Sequence, residues 1–128
     1  MQCSEASERR YGGPGYMLGS EEMRSFWKNY VDAGADADDP LLCPIRARLQ
    51  DLPPAFIAIA ECDILAEQNL AMAAKLRAAG VDVKAVVYEG AAHSFLEAVS
   101  IAAVSDRALA ETSQWLRDKL AKHALRSS

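Results

Sequence analysis

The sequence has no long apolar run, no strongly basic stretch and no paired cysteine motif, and each lack excludes a class of protein. No run approaches the roughly 20 apolar residues of a membrane-spanning helix, so no membrane span is expected. The 14 Lys and Arg residues against 18 Asp and Glu give a net charge of −4, which argues against nucleic-acid binding. Three cysteines, Cys3, Cys43 and Cys62, form no CxxC zinc motif. Together with a polar start that has no secretory signal, they favour reduced thiols in a cytoplasmic protein.

What remains is the composition of an ordinary globular domain. Of the 128 residues, 51% are hydrophobic and 25% are charged, which excludes a disordered tail, a collagen-like repeat and a disulfide scaffold. The length is that of one domain, and no internal repeat or linker divides it. The whole chain, 1–128, is therefore predicted to form a single unit.

The first third of the chain carries one predicted helix. Residues 1–19 contain four glycines and a proline, which predict an irregular segment. A helix is predicted over residues 20–34, where Ser20 is a suitable N-cap and Gly34 a suitable stop. Its apolar residues recur at helical spacing and form one wide face: Met23, Phe26, Trp27, Tyr30 and Val31.

Residues 53–128 predict a strand–helix–strand–helix unit, and hence the α/β fold class. The run Ala55–Ala60 follows two prolines and is apolar without alternation, which is typical of a strand buried on both faces of a parallel sheet. A helix over 67–79 and a second strand over 81–88 complete a βαβ unit with a right-handed crossover. Within the second strand, Lys84 indicates a position near the sheet edge.

The last part of the chain is predicted to be a loop followed by a helix. The loop covers residues 89 to about 104. The helix begins at Ser105 and Asp106, and it is expected to bury its apolar positions: Leu109, Thr112, Trp115, Leu116 and Leu120.

Two polar residues follow the two predicted strands directly. Asp63 follows the first strand and His93 follows the second, 30 positions later. The carboxyl ends of neighbouring parallel strands lie at the same edge of a sheet, where functional groups of α/β proteins gather. We therefore expect the carboxylate and the imidazole to lie close together. Such a pair suits a general base that is oriented by an acid.

Each of these residues also has a structural interpretation. An Asp after a buried strand often caps the next helix, and a single His in a loop is often a hydrogen-bonded structural residue. His123 lies in the last helical turn among cations, where it is interpreted as a surface residue. Glu61 is expected to be a solvated or hydrogen-bonded carboxylate rather than a second catalytic acid. His93 and His123 offer no closed set of metal ligands, so neither a metal nor another cofactor is expected.

Several short motifs together resemble the C-terminal part of the hormone-sensitive-lipase-like α/β-hydrolases. They are LPPA at 52–55, DIL at 63–65, AAKLRAAGV at 73–81, YEG at 88–90 and HSF at 93–95, with GYML at 15–18, FW at 26–27 and DP at 39–40 upstream. The resemblance implies an α/β-hydrolase fold and hydrolysis of carboxylic esters, with Asp63 as the acid and His93 as the base of a serine triad. One departure is Ser94, because the family usually has glycine after the histidine.

The sequence does not contain the other half of such a triad. None of its ten serines lies in a G-x-S-x-G elbow, and no His-Gly-Gly run is present to help form an oxyanion hole. We therefore expect the chain to be a partial domain without esterase turnover of its own.

Two parallel strands make a poor free-standing sheet, so association is expected. One possibility is a homodimer through antiparallel pairing of strand 83–88, and the other is docking onto a missing N-terminal half. Two alternatives to the esterase hypothesis remain. One is a non-catalytic dimerisation or interaction module, or a gene remnant that retains the fold. The other is a small domain that binds an anion at a helix N-terminus, which no Gly-rich loop supports.

Overall fold

The computed structural model describes residues 4–31, Gly34, Asp36 and 39–125, with the side chain of His123 left outside that description. Its helices and strands, in chain order, are α1 (Glu5–Tyr11), α2 (Ser20–Val31), β1 (Ala55–Cys62), α3 (Ala66–Ala78), β2 (Val83–Ala92) and α4 (Ala103–Ala124). Two short 3₁₀ turns occur at Pro44–Arg46 and Phe95–Ala98. No helix in these ranges is long and apolar enough to cross a membrane.

The two strands pair in parallel, with α3 as the crossover between them. Ala55 lies opposite Val83, and the pairing continues in register to Ala60 opposite Tyr88. The prediction of an α/β fold with one βαβ unit is thus confirmed. Gly80 ends the crossover helix with a φ of +84°, a left-handed conformation that favours glycine, and the chain turns there into β2.

Helices cover the sheet on both faces, which explains why the strand sequences are apolar without alternation. On the α3 face, Leu76 packs with Leu49 and Val81, and partly buried residues of both strands extend this cluster. On the α4 face, Ala60 and Tyr88 pack against Ala108. A strand that is covered twice needs apolar side chains at consecutive positions, because successive residues point to opposite faces.

The prediction of an irregular segment over residues 1–19 was wrong in part, because residues 5–11 form α1. The Ser4 hydroxyl accepts a hydrogen bond from the Ser7 backbone N–H at 3.1 Å and caps the helix. Glu5 and Arg9 form an i,i+4 ion pair at 3.5 Å. Gly12 then ends the helix and donates its N–H to the Glu8 carbonyl at 2.9 Å. The glycines that suggested a loop all lie after this short helix.

Helix α2 begins at Ser20 as predicted and is described to Val31, while residues 32 and 33 of the predicted helix lie outside the described residues. The predicted stop, Gly34, follows with a φ of +84° and donates its N–H to the Val31 carbonyl. The predicted apolar face is present, yet none of its residues is buried: Phe26 is 62% exposed and Tyr30 64%. Within the described residues, this face therefore has no covering element.

Three predictions about the last third of the chain were wrong. Strand β2 continues to Ala92 instead of ending at Tyr88, and α4 begins at Ala103 rather than at Ser105. Of the α4 positions expected to be buried, Leu109, Leu116 and Leu120 are exposed. The side of α4 that faces the sheet carries Ser105, Ala108, Thr112 and Trp115, which are buried or half-buried. The three leucines lie beside this stripe on the helix surface, where no described element covers them.

Two of the three cysteines lie in the described part of the chain. Cys43 is buried and Cys62 is half-buried, and both are free thiols. Cys3 lies outside the described residues.

Tyr88 is the largest fully buried side chain and joins β2 to α4. Its hydroxyl donates a hydrogen bond to Glu111 Oε2 at 2.8 Å, and the Arg107 guanidinium lies 5.4 Å from the ring centre. Burial raises the pKa of Tyr88 to about 12. The hydrogen bond and the charge of Glu111 act in the same direction, while Arg107 opposes them.

This environment predicts a late titration of Tyr88. The pKa of Tyr88 is about 12 in the folded chain, compared with the ordinary value of 10.0 expected in the unfolded chain. The contribution of the protonated hydroxyl to the free energy of unfolding is therefore complete below pH 10 and is lost as the pH rises through about 12. Phenolate absorbance, measured as the difference between wild type and Tyr88→Phe, should show a midpoint near pH 12. A difference curve with its midpoint near pH 10 would show that the hydroxyl is solvated and would contradict this environment.

Candidate active site

The two candidate catalytic residues lie where the two parallel strands end. Asp63 comes directly after β1, and His93 comes directly after β2. Both strands run in the same direction, so both residues reach the same edge of the sheet. Thirty positions of sequence separate them, of which 13 belong to α3 and ten to β2.

Asp63 and His93 are joined by a short hydrogen bond. His93 Nδ1 lies 2.9 Å from Asp63 Oδ2. The Asp63 side chain is only 7% exposed, whereas that of His93 is 34% exposed. With the carboxylate ionised, Nδ1 carries the proton and donates it to this bond. The other ring nitrogen, Nε2, is then left with a free lone pair, which is the state that a general base requires.

The carboxylate of Asp63 is held in place from its other side as well. Its second oxygen, Oδ1, accepts a hydrogen bond from the Leu65 backbone N–H at 2.8 Å. The Asp63 carbonyl accepts the N–H of Ala66, the first residue of α3. Asp63 does not cap α3, because the N-cap position is Leu65 and no side chain makes a capping bond there. Its Oδ1 instead closes the turn before the helix, while Oδ2 faces His93.

Helix α4 fixes the segment that follows His93. The buried Ser105 hydroxyl donates a hydrogen bond to the Phe95 carbonyl at 2.5 Å. Asp106 Oδ1 accepts the Ser100 N–H at 2.7 Å. These two bonds attach the first residue of the 3₁₀ turn, and the backbone two residues after its end, to the first turn of α4. The sequence indicates Ser105 and Asp106 only as helix-start residues and does not predict this role.

Ser94, next to the histidine, has a backbone conformation that favours glycine. Its φ is +59° and its ψ is 16°, which lie in the left-handed region. Its side chain makes no capping hydrogen bond to the turn that it precedes. The departure from glycine noted in the sequence thus places an L-residue where the turn requires a left-handed conformation.

Other residues singled out in the sequence are not part of the pair. Glu61 Oε2 accepts a hydrogen bond from the Gly90 N–H, so Glu61 is a hydrogen-bonded carboxylate. The side chain of His123 lies outside the described residues. Among the residues that the structure describes, no serine forms a hydrogen bond with His93. No group of three His, Cys, Asp or Glu side chains that could hold a metal occurs in that same part of the chain.

The chain is similar to known ester hydrolases. A family described as alpha/beta hydrolase fold matches residues 2–97. An ethyl acetate hydrolase from Pseudomonas putida is 34% identical over 119 residues, which are 92% of this chain and 37% of that protein. The structure of a hyperthermophilic esterase from Pyrobaculum calidifontis superposes with a TM-score of 0.80 at 33% identity, covering 85% of this chain and 35% of the esterase.

A more distant structure agrees on the fold alone. A hormone-sensitive lipase from a metagenome library superposes with a TM-score of 0.82 at 21% identity, covering 93% of this chain and 39% of the lipase. The chain thus spans little more than a third of the length of each of these proteins.

The left-handed conformation of Ser94 predicts that Ser94→Gly stabilises the chain. The conformation costs an L-residue about 1–2 kcal/mol, and part of this gain is offset by the greater chain entropy of glycine. We expect the free energy of unfolding in urea to rise by up to about 1 kcal/mol. The matched control is Ser113→Gly, at an exposed position inside α4, where glycine should lower stability instead. A loss of stability in Ser94→Gly would contradict the strain.

Proposed function

This chain belongs to the α/β-hydrolase family, and from that premise we propose that Asp63 and His93 are the acid and base of a serine carboxylesterase triad. The observation that carries the proposal is the Nδ1–Oδ2 hydrogen bond of 2.9 Å at the ends of two parallel strands. The identity of 34% with an ethyl acetate hydrolase supports ester hydrolysis as the reaction. Its name also supports small esters with a short acyl group as the substrates.

In the proposed reaction, His93 moves protons and Asp63 holds it in the correct orientation. His93 Nε2 takes the proton of a serine hydroxyl as that oxygen attacks the ester carbonyl, and it returns the proton to the leaving alcohol. A water molecule activated in the same way then hydrolyses the acyl-enzyme. Asp63 holds His93 in the tautomer that carries its proton on Nδ1, and it stabilises the imidazolium that forms in each step. The serine and the oxyanion-hole donors would come from residues beyond these 128.

A chimeric enzyme tests these roles directly. All 128 residues of this chain, which include His123, would replace the matched part of the Pseudomonas putida hydrolase, which supplies the serine-bearing part. We expect the chimera to hydrolyse p-nitrophenyl acetate. His93→Ala should lower kcat by at least about 10³-fold and Asp63→Asn by a comparable factor, with little change in KM.

The other histidine of the sequence provides the matched control, so His123→Ala should keep the activity of the chimera. The unfused chain should give no turnover, because it has no serine in an elbow. Activity that survives His93→Ala in the chimera would contradict the proposal, and so would a folded chimera without activity.

Exposed surfaces also favour association. The sheet has two strands, so within the described residues the outer edge of each strand has no strand partner. The aromatic face of α2 is exposed too, beside Leu41, which is 92% exposed. Both surfaces suit either a homodimer through strand 83–88 or docking onto a serine-bearing part. They would also serve a non-catalytic interaction module, the second candidate function. A cytoplasmic location stays a prediction.

Association is expected at micromolar concentrations. Light scattering coupled to size-exclusion chromatography should give a mass near or above twice that of the 13.9 kDa chain, because unpaired strand edges and apolar faces favour contact between copies. A monomer that unfolds cooperatively would contradict both modes of association for the isolated chain.

A further inference from the structure

The pairing of β1 with β2 is interrupted just before the candidate active site. Ala60 lies opposite Tyr88, but the next pair along is Cys62 opposite Ala92. Three residues of β2, 89–91, therefore lie opposite the single residue Glu61 of β1. Such a bulge bends the strand that carries the extra residues and changes the direction in which it leaves the sheet. The residue that leaves the sheet here is His93, directly after the end of β2.

Glu61 binds the centre of this bulge. Its carboxylate oxygen Oε2 accepts a hydrogen bond from the Gly90 N–H at 2.8 Å. Gly90 has a φ of +70°, a left-handed conformation that favours glycine, while the space around its Cα is open. The left-handed backbone conformation, and not a lack of space for a side chain, is thus the reason that glycine suits this position. The bond to Glu61 holds the chain in that conformation.

The Glu61–Gly90 bond and the Asp63–His93 bond are successive links between the same two strand ends. Asp63 follows Glu61 by two positions, and His93 follows Gly90 by three. Between the links, Ala91 is buried on the α4 face, so the short segment from the bulge to His93 is attached to the core. Only two residues separate Gly90 from His93, so the conformation of the bulge sets the direction in which the backbone reaches the imidazole.

We infer that Glu61 is a positioning residue that holds the β2 bulge at Gly90 and thereby keeps the His93 imidazole within hydrogen-bonding distance of Asp63. Glu61 forms no hydrogen bond or ion pair with the imidazole in the described structure, so it acts through the backbone. The inference rests on the proposed function only in treating His93 as a base. The geometric claim concerns the Asp63–His93 bond alone, which is measurable without any substrate.

Two substitutions distinguish the effect of the length of the Glu61 side chain from the effect of its negative charge. Glu61→Asp keeps the negative charge, but its side chain is one methylene too short for the Gly90 N–H. Glu61→Gln removes the charge, but its amide oxygen still accepts that hydrogen bond. If the bond to the bulge positions His93, the glutamine variant should behave as wild type and the aspartate variant should not.

Long-range ¹H–¹⁵N correlation spectra of the ¹⁵N-labelled full chain provide the measurement. They report the chemical shifts of Nδ1 and Nε2 and thus the tautomer of each imidazole, and His123→Gln assigns the signals of the two histidines. Wild type should show the Nδ1-protonated form for His93, and Asp63→Asn should show the loss of that form. At a fixed pH, Glu61→Asp should move the His93 signals most of the way toward those of Asp63→Asn, while Glu61→Gln should leave them unchanged.

Glu67→Ala is the matched control, since it removes an exposed carboxylate of α3 near Glu61 without affecting the bulge. Its His93 signals should equal those of wild type. Wild-type His93 signals in Glu61→Asp would overturn the inference, and so would signals in Glu61→Gln that match Asp63→Asn. Either result would leave the outcome of the chimera test unaffected, so the inference and the proposed function fail separately.

Discussion

The parallel pairing of β1 with β2 is the constraint on which the candidate site depends. Parallel strands end at the same edge, so the residues that follow them lie side by side whatever their distance in sequence. Asp63 and His93 are brought together in this way, and each then gains a second support. Asp63 is fixed by the turn into α3, and the segment after His93 is fixed by α4. The two helices lie on opposite faces of the sheet, so the site is supported from both sides.

The sequence predicts the strands and their pairing well, because the proline and glycine residues that end regular structure lie next to the apolar runs. Two prolines precede β1, and Gly80 precedes β2. The apolar segments that these residues delimit are as long as typical strands and helices. The same pattern predicts that Asp63 and His93 lie close together, and the structure confirms their proximity. Their catalytic roles remain predictions.

The wrong predictions come from glycines and amphipathic patterns, which are compatible with more than one local structure. Gly90 indicates a turn, but in the structure it lies in a bulge within β2, and the strand continues to Ala92. The glycines of the first segment obscured α1, whose own signals are one capping serine and one ion pair. An amphipathic pattern in α2 and α4 shows which face is apolar, but it does not show whether another element covers that face.

The two links at the strand ends also have a consequence for chain entropy. The Glu61–Gly90 bond closes a loop of 29 residues and the Asp63–His93 bond one of 30, and both loops contain the same crossover. Closing a loop costs chain entropy. Because both bonds close nearly the same loop, most of this cost is met when the first of them forms. When one link forms, it holds the partners of the other at a high effective concentration. The strand pairing and the first link together already hold Asp63 and His93 near each other, so their hydrogen bond orders little further chain when it forms.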